Sequence, residues 1–404
     1  MICANENLSE IRETVRKLIL DEVEKSGDLS DEDIQEIIDE KIISMGKSTA
    51  LGIGMRKKLR KELFYSIRKL DILQELLETP EITEIMINGT DSIFIEKAGR
   101  IVPCEFNFES KEKLGNVIQQ IVADCNRTVN EASPIVDARL ENGARVNIVL
   151  NPVALNGPIV TIRRFPERPI LMSDLIEYGA LSTEMAEFLK QAVKQGESII
   201  VSGGTGSGKT TFLNVLSNFI PTDERIITIE DSAELQILNI PNLVKLETRG
   251  SNVEGCREIT IRDLIKTALR MRPDRIVVGE VRGMEAIDLL QAMNTGHPGS
   301  MSTLHANSAK DMVSRLETMV LMGMPLPLIA IRKQIVSGIQ LVVQLGRLAD
   351  SSRKVLEIGR IMGIVDDEIV TEPIFKLFEK EEDSVGKIKV IWKRYMQDER
   401  ILLF

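Results

Sequence analysis

One run of eight residues constrains the fold of this 404-residue chain more than any other: Gly203-Gly-Thr-Gly-Ser-Gly-Lys-Thr210. It matches the pattern GxxxxGK[ST], follows the apolar segment Ser198–Ser202 and leads into an amphipathic helix from Lys209. Glycines in such a loop let backbone N–H groups converge on phosphates, and the helix N-terminus adds a favourable field. The sequence therefore predicts a strand, a phosphate-binding loop and a helix in succession.

The ligand that this loop predicts is a nucleoside triphosphate with Mg²⁺, and we expect ATP. Lys209 supplies a positive charge for the β and γ phosphates, and the hydroxyl of Thr210 is suited to ligate Mg²⁺. The residues predicted to bind the nucleotide are Gly203, Gly204, Thr205, Gly206, Ser207, Gly208, Lys209, Thr210 and Thr211.

Hydrolysis also needs a group that orients or deprotonates water, and acids that hold Mg²⁺. Two apolar runs end in carboxylates, the first at Glu230 and the second at Glu280. Strand carboxyl ends line the ligand crevice of a doubly wound sheet, so we expect both acids near the metal. Glu280 fits a Walker B acid and Glu230 a second catalytic acid; the sequence leaves open which of them is the base.

The chain has two histidines, His297 and His305, in one segment rich in Gly, Ser and Thr. We predict that both sense the γ-phosphate or hold the attacking water. No third ligand stands near them at zinc spacing, which argues against a metal site.

Composition narrows the class of partner. The formal charge is −10, so the overall field does not favour nucleic acid. The four cysteines form no CxxC pair, which fits a reducing, cytosolic setting. No signal peptide and no apolar run of about 18–20 residues are present, so membrane attachment is expected to go through partners.

Periodicity divides the chain into segments. Residues 1–69 are predicted to be a helical segment, 70–165 a small α+β domain, 166–178 a linker, and 179–404 the nucleotide-binding domain. Strands and helices alternate after Ser198, which indicates an α/β fold with a mainly parallel sheet.

Four segments in order resemble the secretion ATPase superfamily of type II and type IV secretion and type IV pilus motors. They are a Walker A loop, an Asp box (Ile229–Glu234), a Walker B motif without the usual Asp (Ala268–Arg282) and a His box (Thr295–Asn307). Upstream, Pro134–Asn147 resembles the N-terminal domain of that family. Two runs, Arg315–Met322 and Leu269–Gly283, are most similar to the CpaF/TadA branch, which assembles Flp (Tad) pili. The four-cysteine insertion of type II secretion ATPases is missing.

The resemblance implies a RecA-like P-loop motor domain in a ring-shaped hexamer, with the site at subunit boundaries. It implies that Arg145 and Arg163 reach the γ-phosphate when the N-terminal domain swings about a hinge at Pro166–Pro169. It also implies a cytoplasmic ATPase held peripherally at the membrane by polytopic platform proteins, and through them acting on pilin.

Three other functions stay open. A nucleic-acid translocase or DNA-transfer ATPase shares the core, but the acidic balance and the lack of interleaved aromatic and basic residues disfavour it. A small-molecule kinase also uses the loop but does not need an Asp box and a His box. A non-hydrolysing scaffold would lack the acids Glu230 and Glu280.

Overall fold

The structure is a computed structural model that divides into two compact units, Met1–Glu167 and Arg168–Phe404. It describes residues 12, 14–23, 29–45, 52–97, 99–164, 168–250, 257–382 and 388–395. Residues 166 and 167 of the predicted hinge lie outside these ranges, as do Cys3 and Cys256. The predicted domain boundaries remain predictions.

The first unit begins with helices that bury a predicted apolar stripe. Residues 14–23 are helical, and helices α1 (Asp31–Met45), α2 (Ile53–Arg68) and α3 (Ile72–Glu78) follow. Val15 and Ile19 share a core cluster with isoleucines of α1 and with Leu59 and Leu63 of α2. Ser30 caps α1, because its hydroxyl accepts the N–H of Asp33 at 3.2 Å and Asp33 accepts the N–H of Ser30 at 2.9 Å.

The rest of this unit is an antiparallel sheet with strand order β3-β2-β1-β6-β5-β4 and one long helix. Leu114, Ile118 and Ile121 of the helix are buried in the same cluster as the inward residues of the strands. The elements are β1 (Ile82–Asn88), β2 (Ile93–Lys97), β3 (Arg100–Pro103), α4 (Lys111–Asp124), β4 (Ile135–Arg139), β5 (Arg145–Val149) and β6 (Ile159–Arg163).

The second unit is built on a mixed nine-stranded sheet, with strand order β15-β14-β13-β12-β7-β11-β10-β8-β9. The strands from β12 to β9 in this order are parallel, and β13 to β15 extend them antiparallel. The strands are β7 (Ile199–Gly203), β8 (Ile226–Glu230), β9 (Leu243–Glu247), β10 (Arg275–Val281), β11 (Met301–Leu304), β12 (Leu341–Arg347), β13 (Arg353–Val365), β14 (Glu368–Glu382) and β15 (Ile388–Arg394). The predicted mainly parallel sheet is therefore the six-stranded part from β12 to β9, on one side of a larger mixed sheet.

Helices pack on this sheet through two large clusters of buried apolar side chains. One cluster contains Leu189 and Phe212, and the other contains Leu316 and Ile331. The helices are α5 (Met172–Glu177), α6 (Thr183–Lys194), α7 (Lys209–Ser217), α8 (Ile261–Ala268), α9 (Ala286–Asn294), α10 (Ala309–Gly323) and α11 (Leu328–Gly338). Within the described residues no single helix has the length and hydropathy of a membrane span; α10 and α11 reach them only as a pair bent by 119°.

Helix α5 lies inside the predicted linker 166–178. Leu175 of α5 is buried in the core of the second unit, and the carboxylate of Asp174 accepts the N–H of Leu171 at 2.8 Å. The helix is shorter than two turns, so its periodicity was too brief to stand out beside Pro166 and Pro169. Residues 172–177 therefore pack as part of the second unit.

The sheet topology gathers the predicted chemistry at one edge. Strands β7, β8, β10 and β11 are parallel neighbours, so their carboxyl ends share that edge. The phosphate loop follows β7, Glu230 ends β8, Glu280 lies near the end of β10, and His305 follows β11. Separate sequence motifs thus converge because parallel strands place them together.

The opposite edge is fastened by a buried ion pair. Arg275 is 3% exposed; it donates to Glu224 Oε1 at 2.7 Å and to the carbonyl of Val193 at 2.5 Å.

We expect Arg275→Met to lower the free energy of unfolding of this unit by about 3 kcal/mol, because Glu224 loses its buried partner. Thermal or urea unfolding would measure it. Arg394→Met is the control: it breaks the exposed pair with Glu184 and should cost no more than about 1 kcal/mol. Equal losses would contradict the prediction.

Candidate functional site

The predicted phosphate loop has the backbone that its glycines permit. Gly206 and Gly208 have φ of +71° and +91°, in the left-handed region that side chains disfavour. Gly203 lies so close to β12 that an added Cβ would stand 2.8 Å from the carbonyl oxygen of Leu345. Helix α7 then begins at Lys209, directly after the loop. Strand, loop and helix follow in the predicted order.

Lys209 is folded into the loop. It is 7% exposed, its ammonium donates to the carbonyl of Gly204 at 3.0 Å, and Nζ lies 3.3 Å from Nδ1 of His305. Burial lowers the pKa of Lys209, and the charge of Glu280 opposes that effect. A buried cation with few partners is poised to gain from a phosphate anion.

His305 joins Lys209 to Glu280. Its Nε2 lies 2.8 Å from Oε1 of Glu280, although the two are not aligned as a good hydrogen bond. Burial, and then the charge of Lys209, lower the pKa of His305, so the imidazole is neutral at neutral pH. Because an ammonium only donates, Nδ1 accepts from Lys209 and the ring proton sits on Nε2, facing Glu280.

Glu280 is aimed by an irregularity in its strand. The ladder between β10 and β11 shifts between Val278 and Val281, and such a bulge redirects a side chain. Arg282 donates to Oε2 of Glu280 through Nη2 at 2.6 Å and through Nε at 2.8 Å. Oε1 is buried and accepts no hydrogen bond from the described residues. One oxygen is thus held by an arginine, and the other is available to a ligand or water.

Glu230 has a different environment. It is 2% exposed, and its Oε1 accepts the N–H groups of Glu234 at 2.9 Å and Leu235 at 3.0 Å. Burial raises its pKa to about 7, although these two hydrogen bonds oppose the rise. Gly279 makes room for it: an added Cβ there would stand 3.0 Å from Cγ of Glu230. The glycine that replaces the usual apolar residue before the Walker B acid therefore has a packing reason.

The residues can be tested against Mg²⁺. Among the described residues no group of three or more His, Cys, Asp or Glu could hold a metal ion. Magnesium commonly takes one or two carboxylates, waters and substrate phosphates, so the hydroxyl of Thr210 and Oε1 of Glu280, which accepts no hydrogen bond from the described residues, fit it. Glu230 fits it less well, because its carboxylate already accepts backbone N–H groups.

His297 is not brought to this site, and the prediction that placed it there needs correction. It precedes β11, whereas His305 follows that strand, so the four residues Met301–Leu304 separate them by about 13 Å of extended chain. Nδ1 of His297 lies 3.3 Å from the carbonyl oxygen of Ala292 at the opposite edge of the sheet. Nearness in sequence concealed the strand between the two histidines.

Arg145 and Arg163 lie side by side in the first unit. They are cross-strand partners on β5 and β6, and Arg163 donates to Oε1 of Glu84 at 2.7 Å. Their contact with the γ-phosphate, across the division between the units, stays a prediction.

Two arginines near the loop were not found by sequence reasoning. Arg353 starts β13, and its Nε donates to the carbonyl of Gly206 in the phosphate loop at 3.0 Å. Arg315 of α10, together with Arg282 and Asn307, lines a cleft of about 430 Å³ beside Glu280. Only the strand order shows that Arg353 approaches the loop, whereas Arg315 lies in a run whose pattern indicated the family and not the site.

Comparison with known proteins agrees with this geometry. Residues 67–385 match the family described as Type II/IV secretion system protein. A putative conjugal transfer protein of Mycobacterium tuberculosis is 35% identical over 71% of this chain and 83% of its own length. The conjugal transfer protein TrbB of Rhizobium radiobacter is 32% identical over 79% and 96%. The type IV secretion system protein PtlH of Bordetella pertussis is 34% identical over 72% and 93%.

Solved structures share the fold. The Legionella pneumophila ATPase DotB is 25% identical, with a TM-score of 0.52 over 71% of this chain and 79% of its own. The pilus retraction motor PilT, solved with ADP, has a TM-score of 0.50 at 20% identity, over 75% and 81%. With the phosphate loop, the lysine and the acids at one sheet edge, the match over residues 67–385 leads to one conclusion. The chain belongs to the type II/IV secretion system protein family of ATPases.

Proposed function

We propose that this chain is a motor driven by ATP hydrolysis that powers assembly of Flp/Tad-type pili or related protein secretion across the cytoplasmic membrane. The observation that carries the enzymatic part is the continuous series Lys209, His305, Glu280 and Arg282 beside the phosphate loop. ATP hydrolysis needs a cation that binds the phosphates and groups that orient the attacking water. Lys209 supplies the cation, and a neutral imidazole and a carboxylate with one available oxygen stand beside it.

The residues of the loop would act first on binding. The β and γ phosphates would replace His305 and the carbonyl of Gly204 as partners of Lys209, and their negative charge would oppose the lowering of its pKa. Thr210 and Glu280 would hold Mg²⁺, which neutralises phosphate charge when bound. His305, released from Lys209, would keep Nε2–H toward Glu280 and so fix the carboxylate that orients the attacking water.

Glu230 would serve the same step indirectly. Its carboxylate fastens the turn at Glu234 and Leu235 and packs against Gly279, the residue before Glu280. We therefore propose Glu280, rather than Glu230, as the base and metal-side acid, with Glu230 as a positioning residue. The two acids that the sequence could not separate are distinguished by their hydrogen bonds.

Completion of the site by the first unit is part of the proposal. Arg145 and Arg163 are cross-strand partners, Arg163 also pairs with Glu84, and two neighbouring guanidinium groups suit the oxygens of a phosphate. A γ-phosphate would supply those oxygens when the first unit swings about residues 166–169. Loss of the phosphate would release the contact, so that hydrolysis becomes domain movement.

The cargo follows from similarity. The motif pattern supports Flp/Tad pilus assembly by a hexamer that acts on polytopic inner-membrane platform proteins and, through them, on pilin. Relatives named as conjugal transfer proteins support a second candidate, the ATPase of a DNA-transfer machine. The net charge of −10 favours a protein partner over direct contact with nucleic acid.

Substitution at Glu280 tests the catalytic assignment. Glu280→Gln keeps the shape of the side chain but loses the base, so ATP should still bind while kcat falls by about 100-fold or more. Lys209→Ala should lose binding and turnover together. Calorimetric ATP binding and phosphate release separate the two effects. Glu372→Gln, an exposed acid on β14, is the control and should leave both unchanged. Near-normal turnover in Glu280→Gln would refute the assignment.

The raised pKa of Glu230 predicts a pH dependence. Between about pH 4.5 and 7 the folded chain keeps a proton that the unfolded chain has released, so stability from this carboxyl falls as pH rises through that window. Glu230→Gln carries a permanent neutral amide and should escape this loss. Thermal unfolding at about pH 5 and about pH 8 should show the variant gaining a few degrees on wild type only at the higher pH. An equal difference at both would contradict the prediction.

The pathway is tested by capture from native membranes. Glu280→Gln loaded with ATP should co-purify polytopic platform proteins and pilin, because it binds nucleotide without releasing it by hydrolysis. Lys209→Ala is the matched control and should retain less of both. ATPase activity stimulated by DNA, without capture of pilin, would instead favour the DNA-transfer machine.

A further inference from the structure

The hairpin between β12 and β13 lies beside the phosphate loop, on the side away from the catalytic acids. Strand β7 pairs in parallel with β12 on one side and with β11 on the other. The turn at residues 348–352 therefore shares the loop's edge of the sheet, with β7 between it and His305. If the γ end of a triphosphate lies at Lys209 and Glu280, this hairpin flanks the loop on the side that is left for the α-phosphate and the nucleoside.

Two arginines close the hairpin. Arg347 and Arg353 are cross-strand partners, and like charges directly opposite each other are destabilising. In the part of the chain that the structure describes, neither of them forms an ion pair with an acid. Arg353 lies along the outside of the loop: Nε donates to the carbonyl of Gly206, and Cδ is 3.4 Å from the place that a Cβ on Gly208 would take.

The turn itself cannot neutralise these charges. The carboxylate of Asp350 accepts the N–H and the hydroxyl of Ser352, at 3.0 and 2.6 Å, and the N–H of Ile388 at 2.8 Å. The hydrogen bond from the Ser352 hydroxyl is the main reason that the pKa of Asp350 falls to about 2. Asp350 thus fixes the turn and stays an anion committed to it.

The residue after Arg353 fixes its backbone. Lys354 is 7% exposed and donates to the carbonyls of Tyr178 at 3.2 Å and Gly179 at 2.7 Å. The next N–H, of Val355, is donated to the carbonyl of Ala180 at 2.8 Å. Arg353 therefore projects from a fixed backbone, as a preorganised binding residue should.

We propose that Arg347 and Arg353 form a subsite for the α-phosphate of the bound nucleotide. The assignment rests on the proposed ATP function and adds a second cationic contact to Lys209. An α-phosphate would relieve the repulsion between the two arginines, and guanidinium groups suit phosphate oxygens.

Binding of Mg²⁺ complexes of ATP, ADP and inorganic tripolyphosphate to the full chain tests the subsite. Arg353→Ala and Arg347→Ala should each raise the Kd for ATP and ADP alike, by about tenfold for Arg353, since a charged hydrogen bond is lost. Tripolyphosphate places a phosphate in the same position, so its Kd should rise by the same factor. Lys194→Ala, at an exposed cation that ends α6 near the amino end of β7, is the control and should change none of them.

A thermal shift gives a readout independent of turnover. Without ligand, Arg347→Ala should unfold at no lower temperature than wild type, because the repulsion is removed. Arg353→Ala also loses its hydrogen bond to Gly206. With ATP, each variant should gain fewer degrees than wild type. The α-phosphate assignment would be overturned if neither Kd changed. It would also be overturned if the Kd for ATP rose while the Kd for tripolyphosphate stayed the same. If wild type itself bound no ATP, the proposed function would fail instead.

Discussion

The site depends on the burial of one ammonium group. Lys209 is almost excluded from solvent, which disfavours its charge, and within the described chain it is offset by the carbonyl of Gly204, by His305 and by the field of Glu280. Each of these groups lies at or near the carboxyl end of a different parallel strand. The order of the strands is therefore what makes the buried lysine tolerable and useful.

Two carboxylates at the same edge of the sheet differ in their hydrogen-bond partners and in their surroundings. Glu230 is buried among backbone N–H groups with a pKa near 7, whereas Glu280 pairs with Arg282 and keeps one oxygen without a donor. Gly279 connects them, since its missing side chain lets Glu230 pack beside the strand that carries Glu280. Two carboxylates on neighbouring strands thus have different environments, which supports the separate roles proposed for them.

The sequence predicted those features that depend on short segments. The phosphate loop, the acids at strand ends and the parallel core could be found because glycine spacing and apolar runs are local. His297 was misplaced because β11 has only four residues, and the motif around it carries no sign of a strand. Arg353 was missed because its approach to Gly206 depends on pairing between β7 and β12, which are far apart in sequence.

Strand β13 connects the loop to the segment that follows the linker. Arg353 holds the carbonyl of Gly206, while its neighbour Lys354 holds the carbonyls of Tyr178 and Gly179 at the end of α5. The two residues are joined by one planar peptide unit, so only ψ of Arg353, φ of Lys354 and the two side chains can rotate between the contacts. A change at the phosphate loop therefore has a short covalent route to residues 178–180. The phosphate loop and residues 178–180 are thus held by two consecutive residues of one strand, and this contact would serve the domain movement proposed above.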